Sequence, residues 1–424
     1  MENTSKESLM KEIEPLCFTL SNGVRIVYLY KASEVSHLGF TFLAGSKFEQ
    51  VKEVGLAHFL EHCVFKGTEK RKAIQVLSRL DDVGGELNAF TAKEEICLHA
   101  SFTKKYTARA IDLLADISLR SSFPDLELNK EKEVILDELN SYLDSPSDKI
   151  FDDFEAHLFK DHSLGNNILG TKKSVKGFTR EDLMAYVKMY FTADNLVVSY
   201  VGNYPKLKLL ALLEKALAHV PTTSSRPIYS TITNYQAFSI RTKEANNQSH
   251  AVIGGIAPSY LHNDRRGMGL LINVLGGPAL NSRLTLSIRE KHGLAYAVDA
   301  SYTSFSDTGF WGVYLATDPK NMDKALSLAK KEIHRLCDTG LSTVQLHRAK
   351  EQLKGHLALG MDSNLGLMLG LGKSLLAFNQ IDTIKDIHAG IDRITSQELL
   401  TIANTYFSPD LMSELVFDCK KAAK

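Results

Sequence analysis

The chain is written twice. A stretch near its middle, TREDLMAYVKMYFTADNLVVSYVG (Thr179–Gly202), returns near the C-terminus as TSQELLTIANTYFSPDLMSELVFD (Thr395–Asp418). Each copy opens on a Thr placed to cap a helix, runs through an amphipathic segment to Tyr-Phe, turns at an Asp and ends in a β-prone run. The copies lie 216 residues apart, close to half of the 424-residue chain. Duplication of one α/β unit is the economical explanation. A chain of this length also exceeds one ordinary core, which again asks for two domains. The polar, Pro-bearing stretch His219–Thr231 fits a linker, which gives an N-terminal domain over 1–218 and a C-terminal domain over 232–424.

Periodicity fills in each half. Alternating apolar residues at Val24–Tyr30 and His37–Leu43 predict paired strands, and helical spacing follows at Gly55–Lys66 and Ile74–Val83. Strands are expected at Glu86–Thr91 and Ile96–Phe102, then helices over Lys104–Arg120 and Asn129–Leu143. The second half gives strands at His250–Ile256, Tyr296–Phe305 and Gly309–Ala316. Strands in adjacent short runs, with helices gathered elsewhere, predict an α+β fold: two duplicated sandwiches, each a mostly antiparallel sheet covered by helices.

Composition narrows the function classes. Lys plus Arg and Asp plus Glu both number 50, so no global field draws the chain to nucleic acid or anionic lipid. No apolar run approaches the roughly 20 residues that span a bilayer. The opening MENTSKESLMKEIEP is acidic and lacks an apolar core, unlike a secretory or organellar leader, and the expectation is a cytoplasmic protein. The five cysteines are scattered without CxxC spacing and read as reduced thiols; Cys63 reads as buried and inert.

Chemistry concentrates in HFLEH, His58–His62. Histidines four apart on a helix share one face, roughly 6 Å apart along the axis at about 1.5 Å rise per residue. Both imidazoles can then converge on one ion, about 2.0–2.1 Å from each nitrogen. Glu61 flanks that face and can reach an activated water without ligating. A catalytic zinc needs a third protein ligand and an open position. NKEKEVILDELNSYLDSP supplies it on an amphipathic helix, where Glu131 and Glu138 share a face two turns apart. Glu138 is the chosen ligand, and Glu131 an acid that orients a ligand histidine or tunes the local charge. A purely structural zinc, which usually takes four protein ligands, is the bland alternative.

GLAHFLEHCVFKGTEKR and the Glu pair resemble the M16 (pitrilysin) metallopeptidase family, whose zinc helix carries the inverted His-x-x-Glu-His motif, and most of all bacterial relatives of the mitochondrial processing peptidase β-subunit. Glu138 stands 76 residues beyond His62, the family's spacing, with Glu131 seven before it. The resemblance implies one Zn2+ per chain on His58, His62 and Glu138, with Glu61 as general base. GGELNAFTAKEE (Gly84–Glu95) resembles the family's substrate-binding edge strand, where Asn88 gives a side-chain and Ala89 a backbone hydrogen bond. SRLTLSIREKHGLAYAV (Ser282–Val298) resembles its second-half signature, in which Arg289 and Tyr296 face the zinc. On residues alone the pair reads as a helix-surface arginine and a packed tyrosine. VLGGPAL (Val274–Leu280) is similar to a glycine-rich substrate loop, and equally to a helix C-cap followed by Pro. Shifting the zinc motif by 216 residues meets no His or Glu pair, so the second copy reads as metal-free.

The resemblance further implies half of a four-domain clamshell, closed as a homodimer in which the partner chain's arginine and tyrosine complete the active site. It implies cleavage of unfolded or short peptides. The rival reading is a non-catalytic peptide-binding or scaffold subunit on the same fold.

Overall fold

The computed structural model describes residues 14–222, 232, 235–244 and 246–419. The expected linker falls, from residue 223 onward, outside the described residues. Among the described residues no helix is long and apolar enough to cross a membrane.

Two compact units emerge, each built on one sheet with helices. The sheet of unit 1 contains β1 (Leu16–Thr19), β2 (Arg25–Tyr30), β3 (Val35–Phe42), β4 (Glu86–Thr91), β5 (Ile96–Thr103) and β6 (Leu196–Gly202). Its spatial order is β1-β2-β6-β3-β5-β4, with β2 and β6 parallel and every other pair antiparallel. Every residue of β6, LVVSYVG, is buried, as an apolar run covered on both faces must be. β4 lies at the edge and is only partly covered.

Unit 2 repeats this plan with β7 (Ser239–Glu244), β8 (Ser249–Ala257), β9 (Ala295–Ser304), β10 (Gly309–Thr317) and β11 (Ser413–Cys419), ordered β7-β11-β8-β10-β9. That is the order β2-β6-β3-β5-β4 over again, including one parallel pair, β7 with β11. The repeated sequence stretches take the same structure. Thr179 and Thr395 each begin a capping box, accepting from the N–H three residues on. Thr179 N–H donates in return to Asp182 (2.9 Å) and Thr395 N–H to Glu398 (2.6 Å). Each helix then leads to the buried strand beside the sheet centre, β6 or β11.

The units cut across chain order. Unit 1 draws its described residues from 1–136, 168–228 and 360–383, and unit 2 from 137–167, 229–359 and 384–424. Helix Asn364–Phe378, from the second copy, lies on β6, β3 and β2 of unit 1. Leu367 and Met368 pack there with Leu29 and Val201, and Leu375 with Val27 and Val197. Helix Pro146–Leu158, from the first copy, lies on β8 and β11 of unit 2, where Ile150, Phe154 and Leu158 join Val252, Leu415 and Phe417. Small residues permit the close approach in unit 1. A Cβ on Gly39 would stand 2.5 Å from Met368 Sδ, and one on Gly372 would stand 2.9 Å from Ser199 Oγ. Sequence periodicity located these segments no further than the half of the chain that encodes them.

Candidate metal centre

Four helices of the first copy shape the site: α1 (Leu56–Cys63), α2 (Ala73–Asp81), α3 (Thr107–Leu119) and α4 (Asp125–Leu143). The sequence dictates where α1 starts. Gly55 takes φ +96°, and a Cβ there would meet Gly170 Cα at 2.6 Å, so only glycine fits. Glu49, 6% exposed, accepts from the N–H groups of Gly55 (2.9 Å) and Ala57 (2.7 Å). A carboxyl oxygen against the first N–H groups of a helix satisfies donors that have no partner within it. Burial pushes the Glu49 carboxyl up to about 8, against the pull of those two backbone donors.

One face of α1 enters the core through Leu56, Phe59, Leu60 and Cys63. The other presents His58, Glu61 and His62. The His58 and His62 rings stand 4.7 Å apart, edge to face. Burial, and then the neighbouring His62, lower His58 to about 4, which leaves a neutral imidazole with a lone pair at pH 7. The Cys63 thiol is fully buried and burial raises it far above its ordinary value, which keeps it protonated at neutral pH.

The loop after α1 is anchored to α3. Arg71 reaches Asp112 and Asp116, and the fully buried Asp116 also accepts from Thr68 (2.7 Å) and Arg120 (2.7 Å). The last helix, α4, starts at Asp125, four residues ahead of the expected Asn129, directly after Pro124. It is one unbroken helix. Glu131 and Glu138 therefore keep the two-turn spacing the sequence implies.

The ligand atoms of His58, His62 and Glu138 all lie within 4.8 Å of one another. Two imidazole nitrogens and one carboxylate suit zinc, and the separation needs only a small side-chain adjustment to meet one ion at about 2.0–2.2 Å. Among the described residues no other group of three His, Cys, Asp or Glu ligands gathers in this way. Glu131, buried, faces His62 Nδ1 at 3.2 Å and Lys66 Nζ at 2.7 Å. A carboxylate can only accept, so Nδ1 carries the proton and Nε2 presents the lone pair. Glu61 Oε2 accepts from the Thr91 hydroxyl at 2.6 Å. Beside these groups lies a cleft of about 310 Å³, lined by Glu61, His62, Lys66, Leu77, Asn88 and Glu131 among others. Asn88 is exposed on the edge strand, and its Oδ1 accepts from Ala89 N–H at 2.8 Å.

Arg289 and Tyr296 belong to unit 2. Arg289 sits on a π-helical turn, Thr285–Glu290, an irregularity common at functional positions. Its guanidinium lies 5.0 Å from the centre of the Tyr296 ring, and Tyr296 is 83% exposed rather than packed. Gly277 is the C-cap of helix Arg265–Gly276, with its N–H donating to Asn273 O (3.1 Å), so VLGGPAL forms a helix end followed by Pro278. That helix, the first after β8, is the counterpart of α1, and its sequence RRGMGLLINVLG holds no His, Asp or Glu. Glu49, Thr91 and Lys66 received no role from the sequence.

Paired α/β units with an inverted His-x-x-Glu-His helix in the first and none in the second define a class of metal-binding sandwich proteins. The chain belongs to peptidase family M16. The model described as insulinase (peptidase family M16) matches residues 25–172, and that of the peptidase M16 inactive domain matches residues 177–353. The second match begins in the closing helix and strand of the first copy and runs into the second as far as residue 353, so it leaves out the His-x-x-Glu-His motif. The uncharacterized zinc protease YmxG of Bacillus subtilis is 30% identical over 94% of this chain and 97% of its own. An uncharacterized zinc protease of Mycobacterium leprae is 32% identical over 91% and 88%. In fold, the crystal structure of a peptidase M16 inactive domain from Pseudomonas fluorescens matches with TM-score 0.90 over 97% of this chain and 99% of that one, at 18% identity. A protease from Helicobacter pylori matches with TM-score 0.87 over 96% and 99%, also at 18% identity.

Proposed function

We propose that the protein is a zinc-dependent endopeptidase acting on unfolded or short peptides in the cytoplasm. The observation that carries this reading is the convergence of His58, His62 and Glu138 within 4.8 Å, with the carboxylate of Glu61 on the same helix face as the two histidines. Zinc, when bound, makes water acidic enough to deprotonate near neutral pH and polarises a carbonyl. Glu61 takes the proton from the attacking water and returns it to the leaving amine. Glu131 holds His62 in the tautomer that ligates. Asn88 and the main chain at Ala89 receive the peptide as an added strand on β4, so recognition is mostly main-chain and loosely sequence-specific.

Arg289 and Tyr296 steady the substrate carbonyl as charge develops on it. In this reading they act on the zinc site of a partner chain in a homodimer. The donor set supports catalysis over a scaffold role, because a peptide-binding subunit has no use for an acid poised beside a three-ligand site. Glu61→Gln is the test: zinc content should stay at one per chain while cleavage of a quenched peptide library disappears. Retained cleavage would refute the role of Glu61, and a wild-type chain that binds zinc and peptides without cutting them would establish the scaffold reading.

A further inference from the structure

The edge strand and the candidate base are joined by one hydrogen bond. Thr91 is the last residue of β4, and its hydroxyl stands 2.6 Å from Glu61 Oε2 and 3.5 Å from Ala57 O. A threonine has a single proton to donate, and the shorter contact takes it. A carboxylate offers about four lone-pair sites, so this bond fixes the plane of the Glu61 carboxylate without using up its capacity to accept a proton.

The register of the hairpin shows which groups of β4 face outward. Ala92 N–H donates to Glu95 O (2.8 Å) at the turn, so Ala92 is bonded inward, toward β5. Direction alternates along an antiparallel strand. Phe90, Asn88 and Glu86 therefore also bond toward β5, while Thr91, Ala89 and Leu87 turn their main-chain groups to the open edge. The bond from Ala89 N–H to the Asn88 side chain, instead of to β5, reports the same parity. A guest strand on β4 thus pairs with the main chain of Ala89 and Thr91. The Thr91 side chain, on the helix-facing side of the sheet, simultaneously grips Glu61.

We infer that Thr91 is a positioning residue: it orients Glu61 and ties that orientation to the strand on which the peptide lies. The inference rests on Glu61 being the base. Pairing of a peptide with the edge then stiffens the residue that aims the carboxylate, so binding and proton transfer share one anchor. Nothing in the spacing of GGELNAFTAKEE announces this, because the partner lies 30 residues earlier on another element.

The test is Thr91→Val, which keeps β-branching and size and removes the hydroxyl, beside Thr91→Ser, which keeps the hydroxyl. Thr91→Val should lower kcat by ~10–100-fold, the loss typical when a supporting hydrogen bond is removed, with KM and the zinc dissociation constant from chelator competition within about 3-fold of wild type. Thr91→Ser should recover kcat to within about 3-fold. A Thr91→Val chain with undiminished kcat would overturn the inference. So would a Thr91→Ser chain as slow as the valine variant, or a zinc affinity that falls in step with kcat, which would mean that Thr91 merely seats α1. A wild-type chain that cuts no peptide would instead sink the peptidase reading itself, and the inference with it.

Discussion

Glu131 offers the sharpest quantitative handle on the site. One of its oxygens faces His62 Nδ1 at 3.2 Å and the other faces Lys66 Nζ at 2.7 Å, with the carboxylate almost wholly buried. Glu131→Gln keeps size but removes the charge, and its amide must offer a donor to one of two donors. His62 then loses the acceptor that fixes its proton on Nδ1, and zinc binding should weaken by ~10–100-fold, about 1.4–2.7 kcal/mol. Lys66→Met separates the two contacts. It removes the cation that shares the carboxylate, leaving Glu131 a stronger acceptor for His62, so zinc affinity should hold or tighten by up to about 3-fold. The assay is chelator competition near pH 7.5, with circular dichroism confirming that both variants keep wild-type helix content. A Glu131→Gln chain binding zinc within about 2-fold of wild type would refute the orienting role. Equal weakening in both variants would show that Glu131 acts only by holding the loop after α1.

Two further predictions concern the start of α1 and the packing of unit 1. Glu49 has a folded pKa of about 8, above its ordinary 4.5. Its contribution to stability is therefore fully present below about pH 4.5 and is lost as pH rises toward 8. Glu49→Gln keeps an acceptor for the α1 N–H groups and removes that dependence. The difference in melting temperature, variant minus wild type, should grow between pH 5 and 8, and parallel curves would contradict the assignment. Gly372→Val places a Cβ 2.9 Å from Ser199 Oγ and 3.1 Å from Thr41 Oγ1. Overpacking there should cost about 1–3 kcal/mol and lower the melting temperature by several degrees; an unchanged melting temperature would mean that the exchanged helix does not carry the packing of unit 1.

The legible parts of this chain are those where one element carries its own pattern. His58 and His62 share a helical turn, Glu131 and Glu138 share a face of α4, and alternation along β3, β5 and β10 marks them as strands. Thr179 and Thr395 begin capping boxes that local sequence alone specifies. Features that depend on a second element left no such trace. Glu49 binds main-chain N–H groups six and eight residues ahead, and main chain has no sequence signature. β1 and β7 are short and mostly exposed, so little alternation marks them. The amphipathic face of helix Asn364–Phe378 says that it packs, not that its sheet belongs to the other copy. Gly39 and Gly372 hint at close approach only once they are known to face Met368 and Ser199. Arg289 lies on a π-helical turn whose extra residue breaks helical spacing, and the exposure of Tyr296 runs against the packed position that its neighbours suggest.

The zinc K-edge absorption spectrum of the purified chain, taken with the metal count of Glu138→Gln, tests the central claim most directly. One ion per chain in a shell of two imidazole nitrogens, a carboxylate oxygen and one further light atom, all near 2.0–2.2 Å, is the expected result, with occupancy falling when Glu138 is changed. A sulfur shell near 2.3 Å, or full occupancy without Glu138, would contradict it.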